Sequence, residues 1–489
     1  MPAYINVCKD TLSDQFIDNA WVPSKSKTRR PVLDPYQETH IAEVTYGDPA
    51  DVDAAVSAAR RALPGWQATP EARRGEYLEA IAAGLETRRQ ALAELSSRNN
   101  GKPLAEAYQD LDDAIACYRH YAQAAVALGQ RQGTVEDADQ PDLEARHYWD
   151  AIGVVGLITP WNFPLVSSAW KLAPALAAGC TVVFKPSEIT PLPERALAEI
   201  VIEAGLPPGV FNLLQGDGEG IGAPLSRHPG IDKLSFTGSN PVGEAVMRAA
   251  AQGVRPVSLE LGGKSPILVT EDADLALARD LVIAGICYNA GQMCSATSRL
   301  LVHERLADEL YAAIDAAMAE LRLGDPLTAG TDMGPLVSAT QRDRVQGYVA
   351  LAEEQGLGSE TLTHALPEQG FFVAPRLYRE VPTTSRLWQE EIFGPVLCAR
   401  RVADDAEAIA LANDSDFGLA ATVVAGDPDR AEAIARRLEA GNVWCNSDQI
   451  APPQGSWGGM KRSGIGRELG DAGLDAYLEL KRITRPLRA

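Results

Sequence analysis

Apolar residues recur at three- and four-residue spacings through Asp51–Leu63 (DVDAAVSAARRAL), Arg73–Leu95 and Leu104–Leu128. That period predicts amphipathic helices, the first capped by Asp51. The polar stretch 131–149 (RQGTVEDADQPDLEARHYW) breaks the pattern and reads as an exposed linker or a strand arm. From Ala151 the texture changes. Short apolar runs without alternation (AIGVVGLI, TVVFK, VFNLLQ, IDKLSF, PVSLEL) are separated by helical stretches at Ser167–Ala178 and Glu194–Ala204, after GDGEGIG, and from TGSNPVG through Ala251. Strands of this kind have both faces covered, and their alternation with helices predicts a parallel, doubly wound sheet. A second series follows Lys264: PILVT, a helix over Asp274–Tyr288, SRLLVHE, a helix over Arg305–Leu321, and further elements to about Gly470. The fold class is therefore α/β, as two doubly wound domains meeting near Leu261–Lys264, with no internal repeat.

The chain has 489 residues, 45 Lys+Arg against 66 Asp+Glu, and a net charge of −21. This length calls for more than one core. The acidic balance argues against nucleic acid and against an anionic membrane as partners. It leaves room for a small anionic cofactor and favours a cationic substrate. Seven cysteines (Cys8, Cys117, Cys180, Cys287, Cys294, Cys398, Cys445) without a CxxC fit a reducing compartment rather than a disulfide framework. No apolar run approaches a membrane span, and the N-terminus lacks a secretory pattern. The expected location is the cytoplasm.

Three residues stand out chemically. Cys294, in GQMCSATSR, follows a Gly-terminated helix, where backbone N–H groups could stabilise a thiolate. Taken alone it reads equally as a small buried hydrophobe. Glu260 ends an apolar strand in LELGGKSP, where α/β folds place catalytic groups, or is a solvated acid. Asn162, in TPWNFP, could donate to an oxyanion or simply shape a turn. GDGEGIG and FTGSNPVG each stand between a strand and a helix and could present N–H groups to a pyrophosphate. The six histidines are dispersed, and no metal cluster, G-x-S-x-G elbow or Walker motif is present.

Together PWNFP, FKPSE, FTGS, LELGGKSP, GQMCSATSR, EEIFGP and WGGMKRSGIGRE resemble, in order and spacing, the aldehyde dehydrogenase superfamily. GQMCSATSRLLVHE, WGGMKRSGIGRELG and QDLDD are similar to its plant-type betaine aldehyde/aminoaldehyde branch. The resemblance implies that Cys294 attacks the aldehyde and that Asn162 holds the oxyanion. It implies that Glu260 activates water and that a second carboxylate, Glu479 in AYLELK, assists proton transfer. The implied cofactor is NAD. Lys185, Ser187 and Glu188 would bind its adenosine ribose, with Glu188 disfavouring the phosphate of NADP. Gly218, Phe236, Gly238, Ser239 and Leu261 would line the dinucleotide. Glu391 and Phe393 would hold the nicotinamide ribose, and Thr159, Pro160 and Trp161 would flank the ring.

Phe163, Trp170 and Trp457 are the implied aromatic walls of a substrate tunnel, suited to a quaternary ammonium at ~0.5–2 kcal/mol per ring. Asp110 and Asp113 are the implied acids of its mouth. Tyr288 stands where the branch has Trp, Gln109 where an aromatic is common, and Asn442 where it has a small residue or Ile. The implied substrate is an amino- or trimethylammonio-aldehyde. A broad-specificity or coenzyme-A-acylating semialdehyde dehydrogenase and a non-catalytic relative are the alternatives. The implied division is a cofactor domain (1–130 and 150–262), a catalytic domain (263–468) and an oligomerisation arm (131–149 and 469–489), in a homodimer or homotetramer.

Overall fold

The computed structural model describes residues 11, 12, 14–136, 142–358 and 366–487. An eight-stranded sheet has five parallel strands at its centre, in spatial order Val257–Glu260, Lys233–Thr237, Val154–Ile158, Thr181–Lys185 and Phe211–Leu213. The order reverses between Val154–Ile158 and Lys233–Thr237. Ligands bind beyond the carboxyl ends of strands at such a switch point. A second sheet of six strands is parallel throughout, in the order Arg376–Tyr378, Val396–Val402, Arg299–His303, Pro266–Val269, Ala420–Val424 and Asn442–Cys445. Each has its own apolar core, one around Leu157, Val182 and Phe211 and one around Leu268, Leu300 and Val423. The central strands are buried on both faces, as their unbroken apolar runs require.

The structure departs from the periodicity in four places. Residues 14–23 form two antiparallel strands that extend the first sheet at its edge. Alternation there is too short to outweigh the neighbouring helical signals. The helix expected over Arg73–Leu95 is two, Glu71–Thr87 and Arg89–Asn100, parted at Arg88. The first helix begins at Pro49 with Asp48 as its cap, and Asp51 closes the reciprocal half of the capping box. After GDGEGIG the chain makes only a π-turn and a five-residue helix, Ala223–Arg227.

The polar arm is strand. Leu143–Ala151 pairs along its length with Leu478–Pro486, and Thr134–Glu136 adds a third strand; 137–141 lie outside the described residues. The segments either side of the expected boundary also interlock. Gly464–Ile465 adds a strand to the first sheet beside Leu259 and Glu260.

Helix Leu192–Glu203 buries Glu194 completely. The carboxyl accepts from the Ser168 hydroxyl, and its second oxygen has no partner. Burial pushes its pKa up to about 8, so the folded protein keeps a proton there that the unfolded chain releases near the ordinary 4.5. Stability from this group is full below the unfolded value and is lost as pH rises towards 8. Glu194→Gln should therefore shrink the fall in Tm between pH 5 and pH 8, measured by scanning fluorimetry.

Candidate active site

A cavity of about 1240 Å³ opens where the two sheets meet. It is larger than a usual small-molecule site of ~300–1,000 Å³ and has room for a dinucleotide beside a small substrate. The first sheet contributes the carboxyl ends of its strands: 160–163, 237–241 and 260–262 all line the cavity. The second contributes segments just before its strands, with Cys294 ahead of Arg299–His303 and Glu391 and Phe393 ahead of Val396–Val402.

Cys294 is placed by an unusual turn. Asn289, Ala290 and Gly291 have φ of 49°, 53° and 74°. Left-handed backbone costs an alanine ~1–2 kcal/mol. At Gly291 a Cβ would come within 2.3 Å of the Gly394 carbonyl. At Gly263 it would come within 2.4 Å of the Cys294 carbonyl oxygen, so the second glycine of LELGGK lets the nucleophile's backbone approach the inter-sheet crossing. The N–H groups of Cys294 and Ser295 act on the thiol in the expected direction. Burial, with the charges of Glu391 and Glu260, outweighs them and pushes it up to about 12. The expectation of an activated thiolate is thus corrected: at rest the group is a thiol and needs a base.

Glu260 lines the same cavity as Cys294. It is 5% exposed, and one oxygen is buried without a partner. Burial, then the charge of Glu468, raise its pKa well above the ordinary value; Lys171, Arg467 and the Trp457 indole N–H oppose this. Asn162 donates one amide N–H to the Gln292 carbonyl at 3.0 Å, leaving the other for the cavity.

The second carboxylate differs from expectation. Glu479 lies on the exposed part of the strand Leu478–Pro486, opposite Asp150 and outside the cavity lining. The cavity instead contains Glu468, 4% exposed and ion-paired to the fully buried Lys171, which also donates to Ser235 at 3.1 Å. Glu468 was within reach of the sequence, since it closes the quoted motif WGGMKRSGIGRE. What the motif could not show is the pair of backbone hydrogen bonds between Trp457 and Glu468 that folds it inwards.

On one side of the cavity, Ser239 begins the helix Asn240–Ala251 without capping it, so its hydroxyl and the free N–H groups face an incoming anion. Gly238 and Leu261 line the same side, with Phe236 buried just behind in its strand. The Glu391 carboxylate accepts from Gly263 N–H at 2.9 Å, and burial pushes it up to about 7. A Cβ on Gly262 would meet that carboxylate at 2.6 Å. Phe393, at φ 65°, packs edge-on against Trp161 at 5.3 Å. Pro160 lines the cavity, and the buried Thr159 hydroxyl has no partner. Lys185, Ser187, Glu188 and Gly218 lie outside the lining. Lys185 pairs with Glu188 at 2.9 Å, and its stem approaches the turn that begins at Gly218. Uncapped N–H groups, an unpartnered hydroxyl and glycine-only clearances fit a dinucleotide.

The other side is aromatic. Phe163 and Tyr288 stack at 6.1 Å, Trp170 and Trp457 lie at 5.2 Å, and Trp444, not singled out from the sequence, lies 6.1 Å from Trp457. Asp113 is exposed at this end, beside Gln109, and Asp448 joins it from the 446–455 loop. Two expectations are corrected here. Asp110 lines the cavity but is 5% exposed, ion-paired to Lys102 and hydrogen-bonded by the Tyr288 hydroxyl, so it is not a free acid at a mouth. Asn442 is not in the lining. Its amide is tied to the carbonyls of Leu419 and Gly458 at 3.3 Å each. Among the described residues no group of His, Cys, Asp and Glu could hold a metal, and no helix is long and apolar enough to cross a membrane.

Comparison with known proteins agrees with this geometry. The sequence profile described as the aldehyde dehydrogenase family matches residues 21–483. The chain is 45% identical over 478 residues to a chloroplastic aminoaldehyde dehydrogenase of Arabidopsis thaliana, covering 96% of this chain and 95% of the relative. It is 43% identical over 479 residues to a chloroplastic betaine aldehyde dehydrogenase of Amaranthus hypochondriacus, with the same coverage of 96% and 95%. A crystal structure of betaine aldehyde dehydrogenase from Staphylococcus aureus in complex with NAD+ superposes with a TM-score of 0.94 at 38% identity, covering 99% of this chain and 96% of that one. The chain belongs to the aldehyde dehydrogenase family.

Proposed function

We propose that the protein oxidises a cationic aldehyde, an ω-aminoaldehyde or betaine aldehyde, to its carboxylic acid with NAD. The observation that carries this is the meeting, in one cavity, of the Cys294 thiol, the unpartnered Glu260 oxygen and the spare Asn162 N–H at the foot of an aromatic-walled channel. The relatives' printed activities and the NAD+ complex support it. The basic side chains lining the cavity, among the described residues, are Arg344 and Arg462. Arg344 donates to the Glu391 carbonyl and Arg462 pairs with Asp416, both away from the aromatic walls. In the lining of the substrate end Asp113 and Asp448 attract a cation and Trp170, Tyr288 and Trp457 receive it by cation–π contact, while the Phe163 ring already carries the buried Lys102 ammonium, itself paired with Asp110.

The chemistry follows from the burial of both partners. Glu260 has been raised towards the range in which a carboxylate can accept a thiol proton. The Cys294 sulfur then attacks the carbonyl carbon, and the oxyanion is received by Asn162 Nδ2 and the Cys294 N–H. NAD, when bound, supplies the hydride acceptor. Ser239 and the helix start hold its pyrophosphate, Glu391 its nicotinamide ribose, and Phe393 with Trp161 confine the ring. The acyl group stays on sulfur as a thioester. Glu260 next takes a proton from water, whose oxygen displaces sulfur and releases the acid. Between the two steps Glu260 releases its proton to solvent, and the charges of Glu468 and Lys171 adjust its acidity in opposite directions.

The six described cysteines are free, which supports a reducing compartment and hence the cytoplasm, although several relatives are named chloroplastic or peroxisomal. The arm's exposed Leu480 and Ile483, on a three-stranded sheet with open edges, support a homodimer or homotetramer. The division into cofactor domain, catalytic domain and arm rests on three of the five sheets of the described residues, the eight-stranded, the six-stranded and the arm's three-stranded one.

Purified protein with NAD should form NADH with betaine aldehyde or 4-aminobutyraldehyde at a higher kcat/KM than with a neutral aliphatic aldehyde of similar length. A preference for the neutral aldehyde, or strict dependence on coenzyme A, would overturn the substrate reading. Cys294→Ala should abolish turnover. Glu260→Gln should lower both the initial burst of NADH and steady turnover by at least ~10²-fold, because the same carboxylate takes the thiol proton and later the water proton. Glu468→Gln removes a charge that raises Glu260, so it should move the acidic limb of the kcat–pH profile to lower pH. Glu479→Gln should leave that limb in place.

A further inference from the structure

Lys102 is not part of the reaction described above, yet it sits directly behind the oxyanion donor. Its side chain is fully buried. One N–H donates to the Asn162 carbonyl at 2.9 Å, a second pairs with Asp110, and the ammonium lies 4.1 Å from the centre of the Phe163 ring. Two donors are thus used on Asp110 and Asn162, with the Phe163 ring beside the ammonium. A second donor, Asn289 Nδ2, reaches the same Asn162 carbonyl at 3.0 Å and the Gln292 carbonyl at 3.2 Å. Gln292 in turn accepts from the Asn162 side chain, donates to the Asn289 carbonyl at 3.0 Å and accepts from Val337 N–H at 2.9 Å. The donor is therefore gripped at both ends, its main-chain oxygen by Lys102 and Asn289 and its amide by Gln292.

An oxyanion site stabilises charge only if its donors are already aimed before the charge forms. A buried, charge-assisted hydrogen bond is a stiff way to achieve this. We propose that Lys102 is the positioning residue of the oxyanion site and that Asp110 serves Lys102 rather than the substrate. Tyr288 completes the device. Its hydroxyl donates to Asp110 while its ring stacks on Phe163, so one residue both shapes the channel wall and holds the counter-ion. The inference rests on Asn162 being the oxyanion donor.

The test uses the full-length enzyme. Lys102→Met alone leaves Asp110 buried without its partner, so the working variant is K102M/D110N, which removes both charges. We expect kcat to fall by about 10²-fold, the loss typical of a removed oxyanion donor, with KM changed less than about threefold, alike for a cationic and a neutral aldehyde. The rate of Cys294 alkylation by iodoacetamide should stay within about twofold, because the thiol's surroundings are intact. Asp110→Asn alone keeps the Lys102 bond to Asn162 and should retain most of kcat and the same KM for both aldehydes. N289G, which suits the left-handed backbone there, removes the other donor to the same carbonyl and should lower kcat by a smaller factor. A full kcat in K102M/D110N, or a KM rise confined to the cationic aldehyde in D110N, overturns the proposal. If K102M/D110N fails to fold, an unchanged kcat in N289G or a cation-specific KM in D110N still overturns it. Asn162→Ala separates the two readings: full activity in that variant defeats the oxyanion assignment itself, whereas loss there with none in K102M/D110N defeats only the role of Lys102.

Discussion

Between Glu260 and Pro266 the backbone leaves one sheet and enters the other, and the site is assembled on that crossing. Leu261 N–H donates to the Ser463 carbonyl at 2.8 Å, Gly262 N–H to the Asn240 side chain at 3.1 Å and Gly263 N–H to Glu391 at 2.9 Å. The base ends the incoming strand. The cofactor-side carboxylate and the nucleophile's carbonyl press against the two glycines at separations no side chain would allow. A Cβ at either position would displace Glu391 or Cys294, so hydride transfer and acyl chemistry share one steric constraint.

The second organising feature is electrostatic. Two buried ion pairs flank the reacting centre, Lys102–Asp110 behind Asn162 and Lys171–Glu468 behind Glu260. In each, the carboxylate reaches the cavity lining and the ammonium lies behind it. Breaking one half of such a pair leaves an uncompensated charge at a cost of ~3–5 kcal/mol. That cost makes them rigid supports, and it explains why an acid such as Asp110 is unavailable to a ligand although it faces the cavity. The net charge of −21 is carried mostly at the surface, where screening limits its reach. The acids that matter to a cationic substrate are the accessible ones, Asp113 and Asp448.

The parallel strands were legible because residues covered on both faces must be apolar in unbroken runs, as TVVFK and PILVT are. Cys294, Glu260 and Asn162 were legible because each adjoins a short motif whose glycines and prolines serve local geometry. The edge strands at 14–23 were not, since an edge is defined by its neighbours and not by its own pattern. Glu479 and Glu468 show the same limit: both are acids near the end of the chain, and only the fold says which one turns inwards. Asp110 and Asn442 were read as surfaces offered to substrate, but their side chains are spent on Lys102 and on two backbone carbonyls.

By itself the sequence determined the α/β class and the strand–helix alternation, and it picked out Cys294, Glu260, Asn162 and most of the aromatic wall, which the fold brings to one cavity. These depend on residue type and on spacings of a few positions, which local stereochemistry preserves. Tertiary structure decided the burial of Cys294, the charges around Glu260, the freedom of each acid and the tethering of Asn162. Those properties are set by burial and by contacts between residues far apart in the chain, such as Lys171 with Glu468 and Asn162 with Gln292. Desolvation and hydrogen-bond competition exist only once such residues are brought together.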